Sequence, residues 1–165
     1  MRNKFIHSSA IIEPGAKMAE DVIVGPMSYI GSNVVLNSGV HIKSHVVVTG
    51  KTEIGKDTII FPFAVIGEIP QDLKFNGEQT SLRIGKRNQI REHVTINTGT
   101  VGGGGLTSIG NDCLFMTGSH VAHDAKIGDK VIVANCGAVA GHCIIEDDVI
   151  IGGLSGIHQF VRIGR

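Results

Sequence analysis

Tryptophan is absent from these 165 residues, tyrosine occurs once and phenylalanine six times. A core of stacked rings is thereby excluded; the interior must be narrow, filled by Ile, Val and small side chains. Only four prolines stand against 23 glycines, which argues for many tight turns rather than disorder. The three cysteines are odd in number and lack paired metal-type spacing, so no disulfide framework is expected and a reduced compartment fits. Cys113 and Cys143 fall where the repeat described below calls for small residues, and are expected to be buried, inert thiols. No apolar run approaches the roughly 18 residues of a membrane span, and the start MRNKFIHSS lacks the apolar stretch of a signal peptide. A cytoplasmic protein without a transmembrane segment is expected. Fifteen basic side chains balance fifteen acidic ones, so no nucleic-acid partner is expected, and the length suits one domain.

What is present is a period of six. Ile6, Ile12, Met18, Val24, Ile30, Leu36, Ile42, Val48, Ile54, Ile60 and Ile66 follow one another without a break, and so do the positions from Ile109 and Phe115 to Ile157 and Ile163. Four positions after each comes a mostly small or β-branched residue, as at Ala10, Val22, Val34 and Val46. A helix repeats its apolar positions at three and four and a free strand at two, so neither explains a sustained six. Two inward positions in every six residues describe a parallel β-helix, whose coils stack at about 4.8 Å with hydrogen bonds running from coil to coil.

The period breaks twice, and breaks in a solenoid become external loops, where function concentrates. The first excursion covers 68–81 (EIPQDLKFNGEQTS) and the second 98–107 (TGTVGGGGLT), with Ile84, Ile90 and Ile96 restoring the phase between them. One β-helix domain over 1–165 with two loops is therefore expected. The four glycines of the second excursion lack the Gly-Lys-Ser/Thr and the helix of a phosphate loop, so a flexible excursion is expected there.

If a coil holds eighteen residues, spacing becomes geometry. His123 then stacks under Gly141 and Gly141 under Gln159, while Asp124 stacks under His142; His120 and His158 fall on nearby corners. A histidine, a carboxylate and a bare backbone amide in one place suit acyl transfer, which needs a base, a group to orient it and a donor for the oxyanion. His123 is the expected base and Asp124 its partner, holding the tautomer and offsetting the imidazolium charge. Gly141 leaves its N–H open to a tetrahedral oxyanion. The histidine face is expected to point outward, away from the core. Outward histidines on a solenoid are often merely solvated, and His7, His41, His45 and His93 are read that way.

Together, IGEIPQDLKFNGE, TVGGGGLT, GSHVAHD, AGH and GIHQF resemble the UDP-N-acetylglucosamine acyltransferase family of the hexapeptide-repeat superfamily. The resemblance implies an all-β, left-handed parallel β-helix with triangular coils; the general crossover rule alone favours the right hand. It also implies transfer of an (R)-3-hydroxyacyl chain from acyl carrier protein to the 3-position of UDP-N-acetylglucosamine, the first step of lipid A synthesis, by a homotrimer with sites between subunits and neither metal nor cofactor. Carried over by position, His123 is the general base, Asp124 its companion and Gly141 the oxyanion donor. His120, His142, His158 and Gln159 line the substrates, and Gln71, Asp72 and Lys74 lie on the loop that reaches the acceptor.

The sequence departs from that pattern in two places. Where many members carry His-Arg before the Gly-Thr of the second excursion, Asn97 and Thr98 stand here, which leaves the choice between a hydroxyl and a 3-amino sugar open. The family's further coils and helical C-terminal domain have no counterpart before Arg165, so a fragment, or a naturally shortened and impaired, non-catalytic β-helix, is one alternative. Another is a trimeric γ-type carbonic anhydrase, whose three-histidine zinc coil HVAHDAKIG resembles; those enzymes usually carry Gly at the position of Asp124 and lack QDLK.

Overall fold

The six-residue period is realised as a left-handed parallel β-helix. The computed structural model describes residues 4–165, in which 24 short strands form three parallel sheets of eight. Each strand pairs with those three before and three after it, so one coil crosses all three sheets in turn. We number the sheets first, second and third by the order in which the chain enters them, at Phe5–Ile6, Ile11–Ile12 and Lys17–Met18. The register confirms the coil length, with Phe5 opposite Ile23, Ile11 opposite Tyr29 and Lys17 opposite Val35, eighteen positions apart.

Two residues per side turn inward because a two-residue strand presents one face to the axis and the residue two before it completes the layer. Val22 and Val24, Val34 and Leu36, Val40 and Ile42, and Val46 and Val48 are accordingly buried. Each such aliphatic contributes roughly 1.5–3 kcal/mol by leaving water. Among the described residues Phe115 is the only aromatic of this buried core, in keeping with the scarcity of rings. Cys113 and Cys143 are buried as expected, and burial pushes the Cys113 thiol up to about 11.

The coils turn at corners by way of one left-handed residue. Non-glycine residues take this conformation at fourteen positions, including Asp112, Asp124 and His142 at φ between 59° and 61°. The conformation costs an L-residue about 1–2 kcal/mol. At these corners the cost is offset because the same residue's N–H donates to the coil below, as from His142 to the His123 carbonyl at 3.1 Å. On the corner between the first and second sheets, His45 and His93 are exposed but not merely solvated: the His93 ring stacks on Phe63 and the His45 ring lies tilted against it, with centroids 5.2 Å apart in each pair.

Both interruptions leave the β-helix at the corner between the second and third sheets. The first lies between Val65–Glu68 and Ser81–Ile84, the second between Thr95–Asn97 and Leu106–Ile109. The ladders continue across them, with Ile54 opposite Ile84 and Ile84 opposite Ile109, 30 and 25 positions apart. Within the glycine excursion Val101–Gly103 form a short 3-10 turn. Its base is pinned where the N–H groups of Gly103 and Gly105 donate to the Thr100 carbonyl at 3.0 and 2.7 Å and the Ser81 N–H donates to the Gly105 carbonyl at 2.8 Å. Among the described residues no helix is long and apolar enough to cross a membrane.

Candidate active site

The site occupies the corner from which both excursions depart. On the second sheet His120 stands opposite Ala138 and Ala138 opposite Gly156, which places the corner pairs His123–Asp124, Gly141–His142 and Gln159–Phe160 one above another. Gly141 covers the His123 ring so closely that a Cβ there would lie 2.6 Å from Cε1 and 2.7 Å from Nε2; any side chain would have to displace the ring. Among the described residues the Gly141 N–H donates to no backbone carbonyl.

His123 Nδ1 lies 2.9 Å from Asp124 Oδ2. A carboxylate can only accept, so Nδ1 carries the hydrogen and Nε2 is left as an acceptor. The pair lies outside the apolar core, on the expected outward face, and is nevertheless buried: His123 is 5% and Asp124 4% exposed. The cover comes from the second excursion. The Thr100 N–H donates to both Asp124 oxygens at 2.9 and 3.0 Å, and the Thr100 hydroxyl donates to Oδ2 at 2.6 Å. The Asp124 N–H in turn donates to Thr107 Oγ1 at 2.8 Å. A buried carboxylate needs such donors, because leaving it unpaired costs several kcal/mol, an order-of-magnitude figure.

His142 joins the group edge-on, its ring 4.9 Å from that of His123 and its Nδ1 3.9 Å from Asp124 Oδ2, and its other face stacks on Phe160 at 4.5 Å. His120 sits in a strand rather than on a corner, which corrects the expectation for that residue. Its Nδ1 meets the Thr95 hydroxyl at 2.7 Å. Burial pushes the His120 ring below its ordinary range, and the His123 charge adds to this against the raising effect of Thr95. His158 follows the strand Gly156–Ile157 and is exposed, as is Gln159.

A cleft of about 480 Å³ is lined by the small residues Ala122, Ala138, Ala140 and Gly156 and by His120, His123, His158 and Gln159, whereas His142 does not line it. Gln71 reaches it from the first excursion. Asp72 and Lys74 do not line it: Asp72 closes a local turn by accepting from the Lys74 N–H at 3.0 Å, and Lys74 is exposed beside the fully exposed Leu73. A larger cleft, about 690 Å³, lies between this excursion and the third sheet, away from the histidines. Spacing alone missed Thr95, Thr100, Thr107 and Phe160. Phe160, eighteen positions after His142, and Thr107, seventeen before Asp124, were within reach of it; Thr95 and Thr100 were hidden by the second excursion.

One nitrogen each from His123 and His142 and one Asp124 oxygen lie within 4.8 Å of one another, close enough to share a metal ion. The donor set fits poorly, since Asp124 Oδ2 already accepts from the Thr100 hydroxyl, the Thr100 N–H and His123 Nδ1.

The family described as Bacterial transferase hexapeptide (six repeats) matches residues 106–141. An acyl-[acyl-carrier-protein]–UDP-N-acetylglucosamine O-acyltransferase of Paracoccus denitrificans is 69% identical over 107 residues, covering 65% of this chain and 41% of that protein. The protein of the same description from Rhizobium johnstonii is 50% identical over 160 residues, covering 97% of this chain and 59% of the relative. The solved structure of LpxA from Acinetobacter baumannii superposes with a TM-score of 0.93 at 50% identity, covering 96% of this chain and 61% of that one. The chain thus spans between two fifths and three fifths of the length of these relatives. With the repeat, the three-sheet β-helix and this level of identity along nearly its whole length, the chain belongs to the UDP-N-acetylglucosamine O-acyltransferase family.

Proposed function

We propose that the protein transfers an (R)-3-hydroxyacyl chain from acyl carrier protein to the 3-position of UDP-N-acetylglucosamine, the first step of lipid A synthesis, with His123 as general base. The observation that carries this reading is the buried His123–Asp124 pair, with Nδ1 committed to the carboxylate and Gly141 laid bare over the ring. Nε2 takes the proton of the sugar 3-hydroxyl as its oxygen attacks the carrier thioester. The imidazolium that forms is stabilised by Asp124. The Gly141 N–H donates to the tetrahedral oxyanion, and collapse expels the carrier thiolate, which takes the proton back from His123. His120, His142, His158 and Gln159 are assigned to substrate contacts, and the small residues that line the cleft leave room for an acyl chain.

The same reading includes a homotrimer in the cytoplasm. Support for assembly lies in the first excursion, where Asp72 and Lys74 stand away from their own chain's cleft and Leu73 is exposed at 106%. Thr98 belongs to the support of that loop. The Thr98 N–H donates to the Glu68 carbonyl at 3.0 Å, and the Thr80 hydroxyl donates to Thr98 Oγ1 at 3.1 Å, so both ends of the excursion are held.

The test is incubation of purified protein with UDP-N-acetylglucosamine, or its 3-amino analogue, and a series of (R)-3-hydroxyacyl carrier proteins, with mass detection of the acylated sugar. Acylation abolished by His123→Ala is the expected result. Failure of folded protein to acylate either sugar from any carrier, together with stoichiometric zinc that survives dialysis, would move the assignment to the metal-dependent alternative.

A further inference from the structure

Asp124 takes only one of its hydrogen bonds from the base; the others come from a residue that neither the repeat nor the family resemblance singled out. We propose that Thr100 is a positioning residue for the His123–Asp124 pair, its hydroxyl and its amide together holding the Asp124 carboxylate so that Oδ2 faces the His123 ring. Three donations from one residue converge on the carboxylate, at 2.9, 3.0 and 2.6 Å. Thr100 is itself 9% exposed, so water competes weakly for these bonds. Its hydroxyl donates to the same oxygen that accepts from His123 Nδ1. Three donors on one oxygen, fixed from opposite elements, leave the carboxylate little freedom to turn about its Cβ–Cγ bond.

The glycines of the excursion follow from this grip. A Cβ at Gly103 would stand 2.0 Å from Asp124 Cγ and 2.2 Å from Oδ2, and one at Gly99 would stand 2.8 Å from Oδ1 and 2.3 Å from the Leu106 nitrogen. The turn closes directly on the carboxylate, and side chains at these two positions would push it off. Gly104 and Gly105 have no such neighbour, and are instead in the left-handed region at φ 97° and 77°. The run TGTVGGGG is therefore built to bring the Thr100 donors onto Asp124.

A distinctive consequence follows for the titration of His123. The ionisable groups that face its ring are Asp124, His142 edge-on at 4.9 Å, and His120, whose own protonation is opposed by the His123 charge. Removing the Thr100 hydroxyl leaves Oδ2 with one donor fewer and frees the carboxylate to turn, so the charge that faces the ring changes. The His123 titration then moves, whereas a purely structural threonine would leave it unmoved.

The proposal depends on the acyl-transfer reading only for its kinetic consequence, so two measurements are made. In folded Thr100→Val protein, checked by circular dichroism and melting, NMR titration of histidine-labelled protein is expected to show His123 shifted by about one unit, the scale of a lost hydrogen bond to a charged group. The acid limb of the kcat/KM profile should move with it, with kcat down about tenfold and KM for the sugar changed less than about threefold. Thr100→Ser, which keeps the donor, is expected to titrate as the unaltered protein. Unchanged His123 titration in folded Thr100→Val, or an equal shift in Thr100→Ser, overturns the assignment. Should Thr100→Val not fold, Gly103→Ala keeps the hydroxyl but displaces the carboxylate, and a His123 titration unchanged there overturns it as well. If the titrations move as expected but unaltered protein acylates no sugar, the clamp stands and the acyl-transfer reading falls.

Discussion

Asp112 and Asp124 occupy equivalent places on two corners of the same β-helix, each in the left-handed conformation at φ 59°. Asp112 lies between the third and first sheets, in a column with Asp57, Arg87, Lys130 and Asp148; the coil below receives its backbone N–H at 3.0 Å. Arg87 donates twice to its carboxylate, at 2.6 Å each. By bond lengths alone this pair would rank above His123–Asp124. Yet both of its side chains are more than a third exposed, and a solvated ion pair contributes little because water and salt compete for both partners. Asp124 differs only in what lies outside it. Both excursions leave from its corner, and one folds back over the carboxylate. An ordinary corner aspartate becomes a buried charge able to orient a base because of an insertion, not because of its own backbone.

The largest effect that tests this contrast is His123→Ala. The residue sits outside the apolar core, so the variant should keep its circular dichroism spectrum while acyl transfer falls about 10²–10⁴-fold, the usual worth of a general base. Normal turnover in the folded variant would remove the site assignment.

Next in size is a matched pair. Asp124→Ala orphans the Thr100 hydroxyl and amide in a dry place, which costs about 1–3 kcal/mol, and should lower both the melting temperature and turnover. Asp112→Ala should leave turnover unchanged and barely move the melting temperature. Equal losses in the two variants would mean that burial is not what separates the corners.

Lys74→Ala addresses the excursion that does not close on its own chain. An apparent KM about tenfold higher for one substrate, with kcat little changed, is expected from loss of a cation near a phosphate or carrier-linked donor. Arginine at this position should retain more function than methionine. A fall in kcat at saturation would instead draw this loop into the transition state.

The smallest effects concern pH. His120 has a folded value below its ordinary 6.5, so the unfolded chain binds the proton more readily. The stability this contributes is present above about 6.5 and is lost as pH falls through the lower folded value. In His120→Gln the decline of melting temperature below pH 6.5 should be shallower. Arg87 holds the Asp112 carboxyl below its ordinary 3.8. That contribution is present above 3.8, is lost on further acidification, and should fade in high salt. Salt sensitivity of the His123 titration as strong as that of Asp112 would erase the distinction between a wet and a dry corner.

The six-residue period by itself determined the β-helix, because two inward positions in six leave the chain few other ways to bury its aliphatic side chains. Wherever the period runs unbroken it also determined neighbours, since eighteen positions make one coil; hence His123 beneath Gly141 and Asp124 beneath His142 could be read without coordinates. Across the excursions that arithmetic fails. Thr95 meets His120 25 positions on and Thr100 meets Asp124 24 positions on, because the second excursion adds residues to the coil. Only the tertiary structure decided which loop covers which corner: spacing locates residues along a ladder, but the path of an insertion depends on its own turns, on the glycines that permit close approach and on the buried carboxylate that its amide and hydroxyl must satisfy.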